Sequence, residues 1–409
     1  MAIGATCVWE VRTTGANTNG GGYTSGGTDY SQQPGAQYAL VGVTSAGAGN
    51  TVLSASAAAD MVGNIGCCVS GTNFTTSEFF EVLSVVAEVS ITFGTSHAAA
   101  SICTGIGADG VINIGGAFLI GGTRDDEWAD SVTAGNKVWV ASTAGGVTYT
   151  PAENMIAIVN GTALLPKTFE AYLDIRGTKP TDADRPTIAH TVFTFVSSNY
   201  NIWKYFIFTS TTQYGFQIGQ YNVIIECKAT GGAGSKAFGG GNGDIYINCE
   251  GISATGTALE LLSYSHTVNC YFHDSSIGID MSAATGDSIS HSIIDTCTTG
   301  IKLTSGNDSL FLNNTIYNCT TGISGTTAYQ QNFINNIITG CTTGASWTSE
   351  VKINFWDYNC WNNNPVDVSK VTKGPNDITA NPLLNNPAAG DFTLQSGSPC
   401  IDAGATVET

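Results

Sequence analysis

Three copies of one tetrapeptide, Cys-Thr-Thr-Gly, open at Cys297, Cys319 and Cys341, each 22 residues after the last. The same offset aligns Ile289 with Phe311 and Phe333, Ile294 with Ile316 and Ile338, Asn313 with Asn335, Asn314 with Asn336, and Gly300 with Gly322 and Gly344. So many columns in one register mark a stacked supersecondary unit rather than a chance motif. Upstream the frame continues with Ser275 in the cysteine column, Gly278 in the glycine column and Ile279 above Ile301. Cys227, Cys249 and Cys270 form a second cysteine column, spaced 22 and 21.

The repeat is rich in Ile, Phe, Thr and Asn, is punctuated by Gly and has no amphipathic run of helix length, so each unit reads as a coil of short strands. Every strand then pairs in parallel with its equivalent one coil on, at about 4.8 Å, and like residues stack into ladders. The expected fold class is all-β: a right-handed, single-stranded parallel β-helix with an irregular β-rich N-terminal region and a C-terminal cap. Residues 166–380 carry the coils of about 22 residues and 381–409 the closing cap. Residues 1–165 lack the register but hold apolar runs such as Glu81-Val82-Leu83-Ser84-Val85-Val86 and Lys137-Val138-Trp139-Val140. They form a β-rich N-terminal region that includes a cap, because an uncovered first coil would pair with other chains, and a docking segment.

The structural ladder consists of Cys297, Cys319, Cys341, Ile294, Ile316, Ile338, Gly300, Gly322, Gly344, Asn314 and Asn336. The cysteines are expected inward as free thiols. Adjacent-coil spacing falls within the Cα range of a disulfide, yet three in a row cannot all pair. The Asn column is expected to pass amide hydrogen bonds along the axis, and the Gly column to take positive φ at a corner.

Composition narrows the function. Of 409 residues 50 are Gly, and charged residues make up 11%, well under the usual ~25%. With 14 basic against 32 acidic residues the chain carries a net charge of −18 and would repel phosphate backbones, so nucleic acid is a poor partner. No run of 18 apolar residues suggests a membrane span, and the opening MAIGATCVWEVRTT has neither a basic leader nor an apolar core, so export by the general secretory route is not expected. No C-x-x-C pair suggests zinc or a redox site.

The chain resembles right-handed β-helix repeat proteins of environmental bacteria and tailed bacteriophages. The resemblance rests on Val8-Trp9-Glu10-Val11-Arg12-Thr13-Thr14-Gly15 with Asn17–Gly22 and Asp29–Gln33, on Ser70–Thr76 as an inserted β segment, on Val132–Val140 entering the solenoid, on Arg185-Pro186-Thr187-Ile188, and on the closing Gly-Ser-Pro-x-Ile-Asp-Ala-Gly. It covers nearly the whole chain and implies a fold. It does not imply one function, because lyases, hydrolases, adhesins and passive virion parts share that fold.

Candidate chemistry is sparse. Gly105-Ile106-Gly107-Ala108-Asp109-Gly110 spells a dinucleotide fingerprint but lacks the strand-turn-helix setting, so it reads as a β-turn. Gly239-Gly240-Gly241-Asn242-Gly243-Asp244 is a single imperfect copy of a calcium-binding repeat that works only in tandem. His291 shares the column of Asn313 and Asn335 and is expected as a ladder member. His97, His190 and His266 show no motif. His273 and Asp274 lie one coil before Asp295, close enough in a coil frame for a carboxylate pair of the glycosidase kind, although surface carboxylates meet this way often. Asp280 and Lys302, 22 apart, read as an exposed ion pair. Arg124-Asp125-Asp126-Glu127-Trp128 with Asp182, Asp184 and Arg185 reads as a solvated loop before a calcium site. Neither the pectate-lyase set of calcium-binding Asp with a basic residue nor the polygalacturonase set is present, so no catalytic residue, metal or cofactor is assigned.

Taken together these features lead to a non-catalytic virion-associated protein of a tailed bacteriophage, a capsid decoration or tail-associated β-helix able to bind host-surface glycan. Its expected partners are other virion proteins and copies of itself, a trimer by analogy. It would assemble in the host cytoplasm and reach the exterior on lysis. The alternative is a polysaccharide lyase or glycoside hydrolase acting as a depolymerase on the same scaffold, and a surface adhesin is a third reading.

Overall fold

A coil is built from strands only two to five residues long, and residues 310–325 show why. In Leu310–Leu312 and Thr315–Tyr317 the central residues, Phe311 and Ile316, point inward, as strand alternation dictates. Between the strands Asn313 adopts φ 56°, and after the second Asn318 adopts φ 53°. One left-handed residue turns the chain sharply, and Asn accepts this conformation better than most residues because its short amide bonds locally. The residue after each corner, Asn314 or Cys319, points inward again and is buried. A third strand, Thr321–Gly325, completes the turn.

The computed structural model describes residues 3, 5–45, 50–72, 78–94, 109–120, 131–151, 160–190, 198–282, 284–327, 330–349 and 355–406. The chain divides into two compact units, Met1–Ile207 and Phe208–Thr409. In the second unit the coils form three parallel sheets. The first runs through Val223–Ile225, Ile245–Ile247, His266–Val268, Ser288–Ser290, Leu310–Leu312, Asn332–Ile334 and Phe355–Asp357. The second includes Lys228–Thr230, Glu250–Ile252, Tyr271–His273, Ile293–Asp295, Thr315–Tyr317, Ile337–Thr339 and Cys360–Asn362. The third stacks Phe216–Gln217 through Val366–Ser369. The protein is thus all-β, and the coils of its second unit form a parallel β-helix.

The pairings follow the 22-residue offset: Ile294 opposite Ile316, Ile316 opposite Ile338, Ile279 opposite Ile301 and Phe311 opposite Phe333. The Phe311 and Phe333 rings stack at 4.3 Å, and Phe333 stacks on Trp356 at 3.9 Å. Burial of these columns supplies the core, at about 25 cal/mol per Å² of apolar surface removed from water.

Three corner ladders lie inside. Ser292 N–H donates to Asn314 Oδ1 at 3.0 Å, Asn314 N–H to Asn336 Oδ1 at 3.0 Å and Asn336 N–H to Asn359 Oδ1 at 2.9 Å. The same ladder begins with Cys249 N–H on Cys270 Sγ and Cys270 N–H on Ser292 Oγ. The second cysteine column and the asparagine column, separate in the sequence, are therefore one column. A second ladder joins Asn222, Asp244, Ser265, Asp287 and Ser309. A third carries Ser253, Ser275 and then Cys297, Cys319 and Cys341, all three buried free thiols, ending on Asn364.

The glycine column corrects one expectation. Gly300, Gly322 and Gly344 do not have positive φ; Asn, Asp, His, Thr and Tyr fill most of the left-handed corners. These glycines stand where the chain leaves no room: a Cβ on Gly322 would sit 2.5 Å from Gly344 O and 3.3 Å from Cys341 Sγ.

The first unit has its own parallel sheet of Val8–Val11, Lys137–Ser142, Lys167–Leu173 and Asn201–Lys204. Parallel pairing thus begins in the segment without repeats. Between its first two strands the chain makes a closed antiparallel barrel, in the order Tyr38–Ser45, Thr51–Leu53, Ser90–Phe93, Phe79–Val86, Ile65–Ser70 and Gly110–Ile114. Met61, Phe80, Phe93 and Ile112 are among the side chains filling its core. Glu10, wholly buried, accepts from Arg12 Nε at 2.8 Å, from Arg176 Nε at 2.7 Å and from the Tyr172 hydroxyl. Two cations and a phenol compensate a carboxylate that could not be buried alone.

Candidate functional site

The outward column of the second sheet gathers most of the unusual chemistry. His273 pairs across the sheet with Asp295, and Asp295 with Tyr317, so three successive coils present His, Asp and Tyr at one position. With Tyr271, Asp274, Thr296 and Asn318 they line a groove of about 620 Å³. Its other wall is the short turn Pro387–Ala389 with Gly390, part of the hairpin Leu384–Asn386 and Asp391–Leu394. From that hairpin Phe392 sets its ring 5.6 Å from Tyr317 and 6.1 Å from Tyr271.

The floor is tightly held. Asp295, 8% exposed, accepts from the Tyr271 hydroxyl at 3.1 Å and from Thr296 Oγ1 at 2.6 Å. Asn318 Nδ2 donates in turn to Thr296 Oγ1 at 3.3 Å. His273 stacks on Tyr271 at 4.0 Å, and its nitrogens face two carboxylates, Nδ1 at 2.7 Å from Asp274 Oδ2 and Nε2 at 3.4 Å from Glu250 Oε1. Lys228 lies 2.7 Å from Glu250 on the other side.

These contacts set the charges. Burial opposes a charged imidazole at His273, but the bonds to Glu250 and Asp274 outweigh it and raise its pKa. The same bond from His273, with help from Lys228 against burial, holds Glu250 down to about 2. Burial and the Asp295 carboxylate push the Tyr271 phenol up. His273 therefore has a carboxylate facing each ring nitrogen, Asp274 at Nδ1 and Glu250 at Nε2, and these contacts favour its protonated form. Glu250, Asp274 and Asp295 against Lys228 give the cluster an excess of acidic over basic side chains around His273.

The coil frame brought His273, Asp274 and Asp295 together in the sequence; Tyr271, Tyr317, Glu250, Lys228 and the hairpin roof went unnoticed. Extending the 22-residue offset from Asp295 would have found Tyr317. No periodic signal leads to Pro387–Phe392.

Other candidates resolve into structure. Asp244 accepts from Gly241 N–H at 2.6 Å and Asn222 N–H at 2.9 Å and is buried, so the glycine-rich loop turns its carboxylate inward instead of toward an ion. His291 Nε2 lies 3.0 Å from Asn313 Nδ2, and His266 Nδ1 2.8 Å from Ser288 Oγ; His190 is buried. Lys302 is 3.3 Å from Asp280, and Arg185 2.7 Å from Asp182. Asp109 caps Thr72, and Gly110 opens a barrel strand, not a helix. Residues 105–108, the cluster Arg124–Trp128 and His97 lie outside the described residues.

Residues 235–398 match the model of a family described as periplasmic copper-binding protein (NosD). That is less than half of the chain. Among curated proteins none matches it in sequence. Solved structures similar to it include pectate lyase Pel9A, 13% identical with a TM-score of 0.44 over 68% of this chain and 85% of that one. A rhamnogalacturonan lyase is 12% identical, with a TM-score of 0.44 over 63% and 84%. The tailspike protein gp49 of Pseudomonas phage LKA1 is 13% identical, with a TM-score of 0.27 over 86% and 64%. No residue role is carried over from any of them.

A copper centre would need several soft or imidazole ligands around one point. Among the described residues no three of His, Cys, Asp and Glu converge in that way. The thiols of Cys249, Cys270, Cys297 and Cys319 sit inside the solenoid and donate to backbone carbonyls at 3.2–3.4 Å. These residues do not fit a copper site, and none is invoked.

Proposed function

We propose that this protein is a non-catalytic surface element whose β-helix presents a groove for a neutral glycan. The observation that carries this reading is the pair of aromatic rings, Tyr271 and Tyr317, lining the groove beside bonded carboxylates, Asn and Thr. Aromatic faces pack against the C–H faces of sugar rings, while fixed polar groups take the hydroxyls. The excess of acidic side chains on the floor disfavours uronates, which would have to lie beside Asp274 and Asp295.

Binding of defined neutral and uronate oligosaccharides, measured by calorimetry, tests this. Neutral ligands should bind, and Tyr317→Ala should weaken them at least tenfold; a preference for uronates would overturn the reading.

One observation favours a second reading: Asp274 and Asp295 line the same groove, as a pair of glycosidase carboxylates would. Incubation with polysaccharide while reducing ends are followed decides between the two. Turnover abolished by Asp295→Asn would establish a hydrolase.

We further propose that the protein works on a phage particle, on the capsid or tail, as a homo-oligomer docked to other virion proteins through residues 1–165. The resemblance of the opening and closing segments supports this setting, together with the stiffness of a continuous ladder core. Mass spectrometry of purified particles should find this chain; its absence from them would remove the virion assignment.

A further inference from the structure

Cys360 and Cys400 meet at the end of the solenoid. Cys360 opens the last strand of the second sheet, and Cys400 belongs to the segment that closes the chain over it. Both line a cavity of about 240 Å³ with Asn336, Tyr358, Ile378 and Leu394, and the strongest influence on the acidity of each thiol is the other. Cys360 is buried and its S–H lies 3.2 Å from Ala380 O. The Cys400 backbone N–H is fixed on Ser398 Oγ at 3.1 Å.

The two thiols are unequal. Of the eleven described cysteines ten are buried, and Cys400 alone is partly exposed. The neighbouring Cys360 thiol lowers the Cys400 thiol to about 7, outweighing its partial burial. Accessible thiolate with a second thiol beside it is the arrangement thiol–disulfide exchange requires. The stacked Cys297, Cys319 and Cys341 lack the access.

We propose that Cys360 and Cys400 are a disulfide-forming pair, oxidised by low-molecular-weight disulfides, and that the bond clasps the C-terminal cap to the final coil. The Cys400 thiolate attacks one sulfur of the small disulfide, forming a mixed disulfide and expelling one thiolate. Cys360 then gives up its proton and attacks Sγ of Cys400, expelling the second thiolate. Two protein thiols are oxidised, one small disulfide is reduced to two thiols, and the protons end on those products. The closed loop contains Pro387–Gly390 and Phe392, so the bond also fixes the roof of the groove; this last consequence rests on the glycan reading, while the clasp itself does not.

The full-length native protein is incubated with oxidised glutathione, alkylated with N-ethylmaleimide and digested for mass spectrometry. The expected result is one cross-linked peptide pair joining Cys360 to Cys400, with the other described cysteines unmodified by oxidation, and a higher melting temperature that dithiothreitol reverses. Cys400→Ser should abolish both effects, and Cys360→Ser should leave glutathione on Cys400. Recovery of both thiols in alkylated form, or Cys400 joined to a second chain, would overturn the proposal. Oxidation should also slow dissociation of a bound neutral oligosaccharide. A clasp that forms in a protein that binds no glycan would leave the clasp standing and remove the groove reading.

Discussion

Asp244 and Asp287 occupy one corner ladder two coils apart, and both are buried carboxyls. Desolvation raises Asp244 to about 7 against the bonds from Asn222 and Gly241, and raises Asp287 to about 6 against the bond from Ser265. Each holds a proton in the folded chain that it has lost in the unfolded chain between about pH 4 and its raised value. Stability from these groups is therefore full below about pH 4 and declines as pH rises toward 7, for Asp244 at up to about 1.4 kcal/mol per pH unit. His273, also raised, acts in the same direction above its ordinary range. The urea midpoint should be higher at pH 5 than at pH 8, and Asp244→Asn should shrink that difference; an unchanged difference would assign the effect elsewhere. Gly322 makes a second prediction at this scale. Gly322→Ala forces a methyl against the Gly344 carbonyl, where backbone and not a flexible side chain must move. A loss of about 1–3 kcal/mol in denaturant unfolding is expected.

At the scale of the element, each N–H of the ladder from Cys249 to Asn336 is satisfied by a side chain of the next coil, so that series must end on an acceptor outside the repeat. Asp377 is that acceptor. Its Oδ1 takes Asn359 N–H at 2.7 Å and Asn359 Nδ2 at 3.2 Å, and its Oδ2 takes Trp361 Nε1 at 2.8 Å and Gly374 N–H at 3.1 Å. Asp377→Ala removes the acceptor of four hydrogen bonds, at about 1–3 kcal/mol for each donor left buried and unpaired. Amide exchange should accelerate in Phe355–Asn362 while the coils between 223 and 317 stay protected. The 22-residue offset made the coils, the stacked isoleucines and the thiol column legible, because parallel in-register pairing repeats side chains at one position. It could not show that Cys270 and Asn314 share a ladder, since Ser292 stands between them and a thiol, a hydroxyl and an amide serve the same backbone donor. The barrel of residues 38–114 stayed hidden for another reason: antiparallel strands of different lengths leave no period. The groove was half legible, its floor lying in the repeat and its roof in a hairpin without one.

For the molecule as a whole, continuous parallel pairing and a core with few charges make local opening of the coils costly. Limited proteolysis should cut the loops of the first 165 residues well before the coils, and a chain lacking 1–165 should fail to join particles; normal incorporation would move the docking surface onto the solenoid. Removing residues 298–319 splices Cys297 to Thr320 and regenerates Cys-Thr-Thr-Gly. Ser292 N–H then meets Asn336 where it met Asn314, so a cooperative melt should survive the excision, whereas removal of half a coil should abolish it. The corner ladder has a reading direction, each coil leaning on its successor down to Asp377. A lineage built this way can lengthen or shorten its protein by whole coils anywhere upstream, like sentences added before a full stop, while the stop itself tolerates almost no revision.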